Sequence, residues 1–393
     1  MKVVIDYRPA LRNPTGVGLY TRWLIQHMVE THPDVQWYVF SSSWSDRLGL
    51  SPWADVPHVR TVDRRWPVRI LNYVWPRWGW PHIESLIGAS VDIAHSPYPL
   101  ALPTRTARTI ITVHDLWFLR PDAGTEAEIA RDYPRFFPTA CRWACRILTV
   151  SETTARQLED LYPAVRDRIR VTPLGVPPEF LVPPSPDSAA EVRRAYGLPE
   201  GYVLFVGALN RRKNPGLAFE AVRILQSKGW VGPWVVVGQG PLEADLRERQ
   251  HRSGVVVHFI GYVPRQQLPA IYGGAALLLM TSHDEGFGIP LLEAMASGVP
   301  VVALRRGAVP EVVGDAAVLV DEADAEAIAA ACERVLADSA LRTDLIQRGR
   351  VRAQHFRWSE TARRTYEVYR EVVEAGPCAA GIRGYPPTYS RNA

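Results

Sequence analysis

Glu285 and Glu293 stand with seven residues between them in the string EGFGIPLLE. Glu285 follows the apolar run 276–280, so it reads as a loop residue beyond a buried strand. Pro290 suits the first position of a helix, which places Glu293 in the first turn, where a carboxylate complements the helix dipole. Glycines 286 and 288 leave the backbone N–H groups between the two acids uncovered, with Phe287 and Ile289 beside them. Arg212 and Lys213 are adjacent after the apolar run 202–208. Two fixed cations there suit a diphosphate leaving group, on which negative charge builds up as its bond breaks; a solvated basic turn is the plainer alternative. Gly16 and Gly18 precede a helical pattern from Leu19, where free N–H groups and the positive dipole end favour a phosphate. A Gly-x-Gly turn can equally be only a tight loop, and without a third glycine it is no dinucleotide fingerprint. His114, at the end of the run 108–113, is either a general base or a hydrogen-bonding histidine at a strand end.

These residues need elements to position them. Short apolar runs at 2–7, 37–40, 93–95, 108–113, 147–150 and 170–173 alternate with amphipathic segments such as 19–31 and 153–161. The rhythm restarts with runs at 202–208, 234–237, 255–260, 276–280, 299–303 and 317–320. Helical patterns follow at 215–227, 242–252, 264–272, 290–297 and 325–336. Strand–helix alternation in two blocks predicts two doubly wound parallel sheets covered on both faces. Ligands of such sheets bind beyond the strands' carboxyl ends, where the candidates above gather. Five prolines in 176–187 forbid a continuous helix or central strand and predict a linker or hinge. The expected division is 1–178, with a closing helix at 357–375, against 179–356, and then a frayed Gly/Pro-rich tail over 376–393.

The 393 residues are 47% hydrophobic and 22% charged, a globular balance. A net charge of +4 is too small to indicate a nucleic-acid partner. Only Lys2, Lys213 and Lys228 among the 45 basic residues are lysine. No transmembrane helix or signal peptide is expected. Cys141, Cys145, Cys332 and Cys378 form no metal-ligand pattern, so reduced thiols, no metal and a cytoplasmic location are expected.

The string HDEGFGIPLLEAMASGVPVVA resembles the E-x7-E motif of retaining GT-B glycosyltransferases of family 4. The likeness spans nearly the whole chain: TGVGLYTRWL, TVHDLWFL, ILTVSETTARQL, VTPLGV, FVGALNRRKNP, GDAAVLVD and FRWSETA each resemble a family segment. It is most similar to the O-antigen-type mannosyltransferases. The resemblance implies an α/β GT-B fold, with two doubly wound domains facing a central cleft and a C-terminal helix crossing back to the N-terminal domain. It implies transfer of a hexose, mannose from GDP-mannose first and a UDP-sugar second, to a glycan or lipid-linked acceptor in cell-surface polysaccharide or glycolipid synthesis. Glu293 would hold the ribose hydroxyls and Glu285 would face the donor sugar. Gly286, Phe287 and Gly288 would bind sugar hydroxyls or phosphate through their N–H groups. Arg212 and Lys213 would stabilise the departing diphosphate, Gly16 would admit the phosphate, His114 would contact the sugar, and Tyr262 and Val263 would border the base. The segment TSHD before Glu285 departs from the family's usual proline, serine and aromatic, which bears on sugar selectivity. With no Asp-x-Asp pair after a strand, and with retention by front-side attack, neither metal nor protein nucleophile is expected.

Residues 64–80, RRWPVRILNYVWPRWGW, hold four arginines, four tryptophans and no acid. Such a stretch suits an anionic membrane interface, and hence a peripheral position on the inner face of the plasma membrane. A helix packing its aromatics inward is the alternative. Rival functions are a GT-B-like sugar-nucleotide epimerase and a non-catalytic nucleotide-sugar-binding protein.

Overall fold

The computed structural model describes residues 1–11, 16–48, 52–120, 123–124 and 127–376; the expected tail beyond 376 and the first-loop residues 12–15 lie outside them. The chain divides into two compact units. Unit 1 comprises residues 1–121, 125–174 and 358–393, and unit 2 comprises 122–124 and 175–357.

The sheet of unit 1 is built from β1 (Lys2–Asp6), β2 (Gln36–Ser42), β3 (Val59–Arg64), β4 (Ile93–Ser96), β5 (Arg108–Val113), β6 (Arg146–Thr149) and β7 (Ile169–Val171). All pairs are parallel, in the order β3-β2-β1-β4-β5-β6-β7. Its helices are α1 (Val17–Thr31), α2 (Val68–Trp78), α3 (Ile83–Ile87), α4 (Ala127–Trp143) and α5 (Glu152–Leu161). In unit 2, β8 (Tyr202–Val206), β9 (Trp234–Val237), β10 (Val257–Gly261), β11 (Ala275–Met280), β12 (Val301–Leu304) and β13 (Val318–Val320) lie in the parallel order β10-β9-β8-β11-β12-β13. Around them run α6 (Pro186–Ala195), α7 (Pro215–Ser227), α8 (Glu243–Ser253), α9 (Leu268–Gly273), α10 (Ile289–Ala296), α11 (Val309–Val313), α12 (Ala325–Ala337) and α13 (Ser339–Ala353). The last helix, α14 (Trp358–Glu374), belongs to unit 1.

The central strands of unit 2 carry no charged residue, as crossover helices on both faces require. WVVV of β9 is buried throughout, and the AALLLM of β11 is buried over its last four residues. Helix starts follow local chemistry: the side chains of Ser151, Asp324 and Asp338 accept from Thr154, Ala327 and Leu341 N–H groups, satisfying donors the helices cannot. Strand β3 was not legible in the sequence because VRTVDR lies at the sheet edge and carries three charges. The proline-rich stretch carries short regular structure. Unit 2 begins at Gly175 and not at residue 179, residues Pro178–Phe180 form a short 3-10 turn with Phe180 buried, and Pro186 opens α6.

Helix α14 closes one face of unit 1. Trp358 packs against Trp23, with ring centroids 5.3 Å apart. Glu371 bridges Arg146 of β6 at 2.7 Å and Arg170 of β7 at 2.6 Å. The Tyr369 hydroxyl lies 2.6 Å from Nδ1 of the buried His95.

Candidate active site

The sheet of unit 2 reverses strand order between β8 and β11, and the loops leaving these two strands are stitched together. Thr281 donates its hydroxyl to the Asn214 carbonyl at 2.8 Å, and the His283 N–H donates to the Arg212 carbonyl at 2.8 Å. Asn210 folds the basic turn by accepting from the Lys213 N–H at 3.0 Å. Asn214 then takes the left-handed conformation, φ 49°, and Pro215 opens α7. Gly238 is required for close approach: a Cβ there would lie 2.0 Å from the Gly207 carbonyl oxygen.

This scaffold brings Arg212, Lys213 and Glu285 together. Lys213 Nζ lies 2.5 Å from Glu285 Oε1, and Ser282 donates its hydroxyl to the same oxygen at 2.6 Å. Arg212 Nη1 stands 3.6 Å from Glu285 Oε2. Glu285 is only 4% exposed and Lys213 9%. Burial alone would raise the Glu285 carboxyl; the charges of Lys213 and Arg212, with the Lys213 and Ser282 hydrogen bonds, outweigh it and hold the group below the usual carboxylate range. Two cations thus face one carboxylate where the sheet presents its carboxyl edge. Lys213 and Glu285 are 72 positions apart, so their contact depends on the sheet order that sets β8 beside β11. Ser282 belongs to the segment TSHD that departs from the family's usual pattern.

Helix α10 starts at Ile289 with Gly288 as its cap at φ 98°, so Pro290 is its second residue. Glu293 is therefore beyond the first turn, and dipole complementation does not explain it. It is 1% exposed. Its Oε2 accepts from the Tyr272 hydroxyl at 2.7 Å, and its Oε1 lies 2.7 Å from Arg265 Nη1. Neither partner was identified from the sequence, where one arginine among 42 carries no signal. Gly286, Phe287 and Gly288 are buried instead of open, and the Phe287 ring meets Phe356 at 5.7 Å. Ile289 is half-buried at the head of α10. Beyond β10, Tyr262 is 49% exposed whereas Val263 is buried.

Gly16, Gly18 and His114 belong to unit 1. Gly16 caps α1 at φ 50°, with space around a would-be Cβ. The helix begins at Val17, two residues before the expected Leu19, so Gly18 is a buried helical residue and no part of an open turn. His114 donates through Nε2 to the Pro97 carbonyl at 2.9 Å, which leaves the lone pair on Nδ1. Its ring meets the edge of Tyr20 at 4.7 Å. Burial lowers its pKa, against the opposing effects of the Pro97 carbonyl and Asp115. Behind it, Thr112 bonds both Tyr20 at 3.1 Å and His95 at 2.8 Å.

In residues 64–80 the two readings divide by face. Leu71, Trp75 and Pro76 of α2 are buried, while Ile70, Tyr73, Trp78 and Trp80 are exposed, as are Arg64, Arg65 and Arg69. Arg77 points elsewhere: it pairs with Asp132 at 2.9 Å and stacks over Tyr73 at 4.0 Å. Among the described residues, no helix is long and apolar enough to cross a membrane, and no group of three or more His, Cys, Asp or Glu side chains is placed to hold a metal ion.

Residues 14–180 match the family model Glycosyltransferase Family 4, and residues 190–352 match Glycosyl transferases group 1. The chain is 30% identical over 385 residues to O-antigen chain mannosyltransferase B of Escherichia coli, covering 94% of this chain and 100% of that one. It is 36% identical over 317 residues to a D-inositol 3-phosphate glycosyltransferase of Acidothermus cellulolyticus, covering 74% and 70%. Its fold is similar to that of Anabaena HepE, solved in complex with UDP and glucose, with TM-score 0.68 and 16% identity, covering 94% of this chain and 100% of that one. Two parallel α/β sheets with a cation–carboxylate cluster at a carboxyl edge, together with these likenesses, define a glycosyltransferase of GT-B fold. The chain belongs to glycosyltransferase family 4.

Proposed function

We propose that the chain transfers mannose from GDP-mannose, with retention of anomeric configuration and without a metal, to a glycan or lipid-linked acceptor of cell-surface polysaccharide or glycolipid synthesis. The observation that carries this reading is the Arg212–Lys213–Glu285 cluster at the switch point of the second sheet. Arg212 and Lys213 hold the diphosphate and stabilise the charge that develops as the sugar–phosphate bond breaks, the task a metal ion performs elsewhere. Glu285, kept ionised by the same two cations, orients the sugar hydroxyls. Glu293 accepts from the ribose hydroxyls, and the N–H groups of Gly286, Phe287 and Gly288 serve sugar or phosphate. Gly16 admits the phosphate and His114 contacts the sugar, while Tyr262 and Val263 border the base. The leaving phosphate takes the acceptor's proton, so no protein nucleophile is used.

The mannosyl reading is supported by the likeness to the O-antigen mannosyltransferase. A UDP-sugar donor is the second reading, favoured by the fold shared with a UDP-bound protein. The exposed arginine and aromatic face of α2 supports peripheral docking on an anionic membrane, where a lipid-linked acceptor resides. A thermal-shift panel of GDP-, UDP- and ADP-sugars tests the donor, because a ligand at 100 times its Kd stabilises by about 2.7 kcal/mol. GDP-mannose is expected to raise Tm most, unchanged by EDTA. A larger rise with a UDP-sugar selects the second reading, and a rise abolished by EDTA and restored by Mg²⁺ overturns the metal-free one.

A further inference from the structure

The carboxylate of Glu293 does not stand alone, and its neighbours lead to the segment by which the chain enters unit 2. Arg265, just before α9, lies between two acids. Its Nη1 is 2.7 Å from Glu293 Oε1, and its Nε is 3.3 Å from Glu179 Oε1 in the turn Pro178–Phe180. The Phe180 ring packs beneath it, with the guanidinium carbon 5.7 Å from the ring centroid, and meets Tyr272 edge-on at 5.2 Å. Tyr272 holds the other Glu293 oxygen at 2.7 Å. Glu293 is buried, at 1% side-chain exposure, while Arg265 and Glu179 are partly buried, at 17% and 20%.

We propose that Arg265 is a positioning residue, which fixes the Glu293 carboxylate in the orientation that receives the nucleotide ribose and is itself held by Glu179. This rests on the reading of Glu293 as the ribose-binding group. A planar guanidinium can fix two carboxylates at once in a way a lysine cannot, because its donors form a rigid fork. Tyr272 fixes one oxygen only, which leaves the carboxylate free to swing about that bond. Removing Arg265 would also leave the two carboxylates facing one another with no cation between them, so Glu293 would turn away or take up a proton. The turn Pro178–Phe180 thereby becomes part of the donor site without touching the donor: Glu179 sets Arg265, and Arg265 sets Glu293.

The test compares Arg265→Gln, Arg265→Lys, Glu179→Gln and Glu293→Gln in the full chain. Kd for GDP and UDP is measured by calorimetry, KM and kcat with the donor sugar, and folding by Tm and circular dichroism. A misoriented carboxylate loses its charge-assisted hydrogen bonds to the ribose hydroxyls, so Arg265→Gln is expected to raise Kd and donor KM roughly tenfold with kcat at saturating donor within about twofold. Arg265→Lys should recover part of that loss, and Glu179→Gln should weaken binding by roughly threefold on the same grounds. An effect on Tm alone, with Kd unchanged in Arg265→Lys and Glu179→Gln, overturns the positioning role even if Arg265→Gln fails to fold. The two readings fail separately. If Glu293→Gln loses diphosphate affinity and Arg265→Gln does not, only the positioning role falls. If Glu293→Gln itself binds normally, the ribose reading falls and takes this one with it.

Discussion

The ion pair of Lys213 and Glu285 makes stability and activity separable at the scale of single residues. Lys213→Ala removes a charge-stabilising donor, which is worth about 2.7–4 kcal/mol of barrier, so kcat should drop by a factor of a hundred or more. It also leaves Glu285 buried with the more distant Arg212, at 3.6 Å, and the Ser282 hydroxyl, and breaking one side of a buried pair costs about 3–5 kcal/mol. The double variant Lys213→Ala, Glu285→Ala should regain most of that stability and none of the activity, read by urea unfolding and by product formation. Recovery of activity in the double variant would remove both residues from the proposed chemistry. Motif, spacing and residue type bring out Arg212, Lys213, Glu285 and Glu293 as candidates. Their partners were not legible, because contacts between Glu293 and Arg265, or Lys213 and Glu285, depend on which loops the sheet order brings together.

A second residue-level expectation concerns His95, whose pKa burial, assisted by the nearby His114, pushes down to about 3. Between about 3 and 6.5 the unfolded chain binds a proton that the folded chain does not. The stability tied to neutral His95 is complete above about pH 6.5 and is lost as pH falls, by about 1.4 kcal/mol for each unit. His95→Gln should flatten the fall in urea midpoint between pH 7.5 and 5.5. An unchanged slope would show that another group governs it.

Among the elements, the unbroken apolar strands were the most legible, since a strand covered on both faces needs no pattern beyond hydrophobicity. The edge strand β3 and the α10 start were not, because polar edges and helix caps depend on neighbours and backbone geometry more than on residue type. Helix α2 shows the limit of composition: four arginines read alike in the sequence, yet Arg77 is tied to Asp132 whereas Arg65 and Arg69 are exposed. Attraction to an anionic surface is worth about 1 kcal/mol per well-placed arginine and is screened by salt. Replacing Arg65 and Arg69 with Gln should therefore weaken sedimentation with anionic vesicles at low salt, and Arg77→Gln should lower stability instead. Unchanged vesicle binding in the double variant would leave α2 as a packed helix with an exposed aromatic rim.

For the molecule as a whole, the two-block rhythm corresponds to two sheets, and the division between the units falls at Gly175 and Trp358. The prolines of 176–187 exclude a continuous helix or central strand there but are a poor guide to the boundary, because Phe180 is buried in a turn of unit 2 and Pro186 opens α6. Residues 175–357 form an uninterrupted stretch with its own sheet and core, so deleting α14 should leave one cooperative transition intact and abolish the other, as seen by calorimetry. Loss of both transitions would show that unit 2 does not stand alone.

The place of α14 in the chain also sets an order of events during synthesis. Unit 1 cannot be finished until the whole of unit 2 has been translated, because the helix that covers Trp23 and bonds His95 comes after residue 357. At about 5–20 residues per second that is a wait of roughly 10–40 s. Throughout it the nascent unit 1 presents an open apolar face beside the ribosome, a surface suited to a holding chaperone, while unit 2 folds as it emerges. A circular permutant that begins with α14 would abolish the wait.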